Sequence, residues 1–64
     1  MEVNAIKERI ERAFYSVTLV TICCAKWSGK AKVHSLGATC FCIEGYHRPI
    51  EITYSEVWFA GDAR

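Results

Sequence analysis

The chain has 64 residues, of which 52% are hydrophobic and 23% charged, and its formal net charge is +1. That length allows one domain at most, spanning residues 1–64, which buries only roughly 60% of the surface its unfolded chain exposes, and the composition is too apolar for a disordered chain. A net charge so near zero excludes a global field that would draw in nucleic acid or an anionic membrane, so any basic function is local.

The first residues, Met1-Glu2-Val3-Asn4, lead into the charged run Lys7, Glu8, Arg9, Glu11 and Arg12, which has no apolar core of the secretory kind. A cytosolic protein is expected. Val3, Ile6, Ile10 and Ala13 or Phe14 recur at spacings of three and four, so the sequence predicts an amphipathic helix over about 3–14. Asn4 is the expected N-cap, and Lys7 with Glu11 and Glu8 with Arg12 form pairs four apart. So short a helix does not persist alone, and its stripe must dock on something.

From Phe14 the residues turn β-branched and aromatic, which predicts a first strand over about 15–25. The run from Ala13 to Ala25 is about 13 residues long, well short of the ~20 that span a membrane. Lys26-Trp27-Ser28-Gly29-Lys30 reads as a turn, and a second strand follows over about 32–43, interrupted by Gly37. After the break at Glu44–Pro49, Ile50-Glu51-Ile52-Thr53-Tyr54 alternates cleanly and opens a third strand over about 49–60. The phase slips after Tyr54: either a bulge near Ser55-Glu56 restores the register, or the strand ends and a short fourth begins. Gly61–Arg64 reads as a polar, frayed tail. The expected fold is α+β, with one N-terminal helix packed on a three- to four-stranded antiparallel meander sheet; the alternative is a small barrel-like sheet with a helix.

Four cysteines, Cys23, Cys24, Cys40 and Cys42, allow disulfides, a metal site or buried thiols. A reducing cytosol disfavours disulfides. Structural zinc ribbons carry paired Cys-x-x-Cys turns, whereas these pairs are adjacent and one apart inside strand-like runs. A Ser28-Gly29 turn would make paired positions sum to 57, setting Cys23 opposite His34, Leu19 opposite Ala38 and Val17 opposite Cys40. Cys23 and Cys40 would then lie about 20 Å apart along the strand, too far to share one ion. Buried thiols are the expectation, with Cys40 and Cys42 lining one patch of core. A metal site drawing on Cys23, His34, Cys40, Cys42 and His47 is the competing reading.

Cys23 beside His34 has the composition of a nucleophile and base, but no third group orients the histidine and so small a domain leaves little room for a pocket. No catalytic residue, cofactor or enzymatic activity is expected. Lys26, Trp27, Lys30 and Lys32 gather at a hairpin tip, where lysines meet phosphate or carboxylate and tryptophan anchors a contact. The opposing reading is that the lysines solubilise the tip and Trp27 folds back on the core. The first strand carries apolar residues on both faces, and one helix covers only one of them, which points to a homodimer or a protein partner. Trp58 falls opposite to Val57 and Phe59 and is the C-terminal candidate for that interface. The reading that follows is a non-catalytic binding protein or regulator that occupies a surface of a protein partner, for which a phage or mobile-element inhibitor of a host complex is an analogy. The alternative is a small nucleic-acid-binding module using the basic-aromatic tip.

Overall fold

The apolar stripe at the N-terminus becomes helix α1 (Val3–Ser16) in the computed structural model, which describes residues 2–62. Ile6, Ile10 and Ala13 are buried along it. The helix extends two residues past its expected end, because Ser16 Oγ donates to the Arg12 carbonyl (2.7 Å) and the terminus is closed by paired main-chain bonds. Val17 N–H reaches Phe14 O (3.3 Å) and Thr18 N–H reaches Ala13 O (3.0 Å), the Schellman arrangement, with Val17 left-handed at φ 55°, ψ 46°. At the other end Glu2, not Asn4, is the N-cap; Ile6 N–H bonds the Glu2 carbonyl and Asn4 lies in the first turn.

Five strands follow: β1 (Leu19–Cys24), β2 (Ser28–Leu36), β3 (Cys40–Ile43), β4 (Ile50–Thr53) and β5 (Val57–Asp62). They form one antiparallel sheet in the order β4-β3-β2-β1-β5. The helix on an antiparallel sheet is as expected, and β1 to β4 run as a meander. The strand count is higher for two local reasons. The segment expected as one strand over 32–43 turns at Gly37–Thr39, where Gly37 N–H bonds Cys40 O at 2.8 Å. The segment expected over 49–60 breaks in a 3-10 turn, Tyr54–Glu56, so the phase slip marks a new strand. Tyr54 is buried there and stacked on Phe41 (centroids 5.1 Å apart), and the chain crosses to the far side of β1. The sheet is open, with β4 and β5 as its rims. Gly61 and Asp62, expected in a frayed tail, belong to β5; Ala63 and Arg64 lie outside the described residues.

The β1–β2 register differs from the expectation. Leu19 faces Lys32, Thr21 faces Lys30 and Cys23 faces Ser28, so the paired numbers sum to 51 and the tight turn is Ala25-Lys26. Cys24 explains the shift: its N–H bonds Trp27 O at 3.0 Å, its thiol donates to the same carbonyl at 3.0 Å, and Trp27 N–H donates to its Sγ at 3.3 Å. Gly29 serves as a clearance site for the indole. Its φ is +148°, and a Cβ there would sit 3.2 Å from the Trp27 ring.

One face of the sheet meets α1. Val20, Ile22 and Cys24 of β1, Ala31 and Val33 of β2, Phe41 and Ile43 of β3, Ile52 of β4, and Val57 and Ala60 of β5 join Ile6, Ile10 and Ala13 in a single core. Among the described residues, no element of the fold lies upon the other face.

Candidate functional site

Strand alternation assigns the outer face. From β5 toward β4 it presents Phe59, then Leu19, Thr21 and Cys23, then Lys30, Lys32 and His34, then Cys40 and Cys42, and finally Glu51 and Thr53. The basic residues form a row along β2 and the apolar ones lie on the β1–β5 side. Phe59 leans along β5 over Gly61, since a Cβ on that glycine would meet the ring at 3.0 Å.

Of the residues expected at a hairpin tip, Lys30 and Lys32 lie on this face and are exposed. Trp27 is on the opposite side, half-buried and packed against the core, so the tip does not set an indole beside those two ammonium groups. Lys26 is drawn away, its Nζ donating to the Glu51 carbonyl at 3.0 Å. Trp58 is 57% exposed at the irregularity where β5 shifts register against Cys23 and Cys24.

Tyr15, Val17 and Leu19, at the helix–β1 junction, are 74%, 64% and 51% exposed. The sequence sets Val17 and Leu19 together on one apolar face of the first strand, but a strand beginning near Tyr15 would run Val17 into regular pairing with Cys40 and so hides the junction. Only an exposed side chain in the left-handed region singles Val17 out, and that is a property of the tertiary structure.

All four cysteines are free thiols. Cys24 is in the core, while Cys40 and Cys42 share a face as expected, but it is the outer one and they are half-buried there. Phe41 and Ile43, the larger apolar neighbours, take the inner positions. Cys40 holds its proton more tightly than a free thiol, first through burial, then through the Glu51 carboxylate and Cys42. It is therefore a poor nucleophile at neutral pH. Cys23 faces Ser28, six residues from His34, which separates them by about 20 Å of strand. The imagined nucleophile–base pair is not formed, and among the described residues no group of three or more His, Cys, Asp or Glu is arranged for a metal ion.

Two surface clefts are shallow in chemistry as well as in size. One of about 220 Å³ lies between His34 and the β3–β4 loop, with Glu44, His47 and Arg48 on its wall. Another of about 280 Å³ lies between Val3, Lys7, Thr39 and Tyr54. Lys7 is occupied at that site, its Nζ 5.8 Å from the centre of the Tyr54 ring and 3.5 Å from Ala38 O. Burial, then Glu11 and Cys40, raise the Tyr54 phenol above its ordinary range. Both volumes fall below the usual range of ligand pockets.

Compared with protein-family models, curated proteins and solved structures, the chain matches none. Its functional reading therefore rests on its own geometry.

Proposed function

We propose that this chain is a non-catalytic binding protein that docks on another protein through the outer face of its sheet. The observation that carries the reading is Val17: a β-branched side chain held left-handed and 64% exposed, between the exposed Tyr15 and Leu19. A left-handed residue costs about 1–2 kcal/mol for an L-amino acid, and glycine or asparagine is the ordinary solution there. Backbone strain of this kind, carried by an exposed apolar group that gains nothing from the core, supports a contact role. Leu19 faces Lys32 across the strands, so the apolar group borders the row Lys30, Lys32 and His34. An apolar centre edged by cations suits a partner whose surface sets carboxylates around an apolar side chain. A second copy docked face to face and centred on β2 would set lysine row against lysine row, which disfavours the homodimer. Occupying a partner's surface is how a small regulator or inhibitor acts, and the analogy extends no further.

Photo-crosslinking tests the reading. A benzophenone side chain placed at Phe59 in cells of the native source should give a discrete protein adduct that Leu19→Glu abolishes. The same group at Tyr46, on the β3–β4 loop, should not give it. Equal labelling from both positions would refute the docking face. Tight binding of a 15-nucleotide single strand, lost in Lys30→Glu/Lys32→Glu, would instead favour the nucleic-acid alternative.

A further inference from the structure

An open sheet has two rims, and each offers unpaired main-chain groups that template association with another strand. Which groups face outward follows from the phase of the ladders. Cys24 bonds Trp27 across the turn, so Cys24, Ile22 and Val20 direct their main-chain groups to β2, and Cys23 and Thr21 direct theirs to β5. Phe59 and Gly61 answer Cys23 and Thr21, and the N–H and C=O of Ala60 consequently point away from the sheet. On the far side, Gly37 bonds Cys40 and Tyr54 bonds Thr39, so Phe41 and Ile43 are the residues of β3 that pair with β4. Glu51, opposite Cys42, likewise turns its N–H and C=O outward.

Both of these outward carbonyls are occupied, and in each case by a cation from a distant element. Arg9 of α1 donates from Nη1 to Ala60 O at 3.0 Å, across 51 positions of sequence. Lys26 of the β1–β2 turn donates from Nζ to Glu51 O at 3.0 Å, across 25 positions. Gly61 lies beside the first, its ideal Cβ position 3.5 Å from the guanidinium nitrogen, an ordinary contact distance. We infer that Arg9 and Lys26 are edge guards that close both rims of the sheet to strand addition, so that a second copy of this chain does not pair with it edge to edge. Each places a charged group on a carbonyl that an incoming strand would have to bond, and displacing and desolvating that charge opposes the pairing. The inference concerns the rims and does not depend on what docks on the outer face.

The test is sedimentation equilibrium from 5 to 500 µM on the wild type, on Arg9→Met/Lys26→Met and on Arg12→Met/Arg48→Met, a control that removes the same charge at exposed positions away from the rims and the outer face. The guard variant should associate at least tenfold more tightly than wild type and control. Its Ala60 and Glu51 amides should become protected from hydrogen exchange as concentration rises, because those N–H groups are the ones an added strand would bond. An unchanged distribution, or association that protects neither amide, would overturn the inference. Lys26→Met alone decides the matter for the β4 rim if loss of Arg9 prevents folding, since Lys26 is exposed and contributes nothing to the core.

Discussion

Val17 is costly where it stands. Its left-handed backbone closes α1, its side chain is largely in solvent, and glycine would remove the clash while giving up little burial. Val17→Gly should therefore raise the unfolding free energy by about 1 kcal/mol, read from urea titration; a loss of stability would show that Val17 is not strained. Tyr54 makes a second residue-scale prediction. Its phenol is kept neutral by burial above all, so its raised pKa stabilises the fold in full below the unfolded value of about 10 and loses that contribution as pH rises through the folded value. Tyr54→Phe should lose less stability than wild type as pH rises above about 10, measured as the shift in thermal midpoint. Identical alkaline profiles would show that the phenol does not titrate differently in the folded state. Neither residue announced its role: Val17 read as one more β-branched strand residue, and Tyr54 as the last apolar position of an alternating strand.

At the scale of elements, the periodic segments were legible and their ends were not. The 3.6-residue spacing of Ile6, Ile10 and Ala13 located α1 because burial on one face imposes that period. Ile10 is fully buried, and Ile10→Ala should cost about 2–5 kcal/mol. Against the roughly 3–10 kcal/mol expected of a domain this size, that should leave a population partly unfolded at 37 °C, visible as lost helical circular dichroism. A fully cooperative, wild-type-like melt would mean that the sheet holds without the helix. The β1–β2 turn was misplaced because Ser28-Gly29 has turn chemistry, yet the decisive group is the Cys24 thiol, which bonds both main-chain groups of Trp27. Cys24→Ala should cost about 1–3 kcal/mol by emptying that site. An unchanged urea midpoint would return the turn to the main chain alone.

For the molecule as a whole, the four thiols are spread over a core position and the outer face, and no pair is bridged. Its melting temperature should be the same with and without EDTA, and with and without reductant, in differential scanning calorimetry. A fall of several degrees with chelator would mean that a metal is held after all. The sheet's two faces differ in fate. One packs on α1, and the other carries Leu19, Phe59 and the lysine row to the surface.

The sequence by itself determined the class of the fold and the buried sides of α1 and β4, whereas the inner side of β3 was misread, since Cys40 and Cys42 lie outside and Phe41 and Ile43 inside. Alternation and helical period are direct records of burial, and Ile50-Glu51-Ile52 or the α1 stripe preserve them locally. Strand number, the crossing of β5 to the side of β1 and the register of the first hairpin were decided only in three dimensions. Each depends on which segments meet across long separations: Tyr54 on Phe41, Trp27 over Gly29, Arg9 on Ala60. The candidate surface belongs to the same class. Lys30 and Lys32 were visible as charges, but that they lie beside Leu19 while Trp27 turns to the core follows from a six-position change in register, and register is fixed by tertiary pairing.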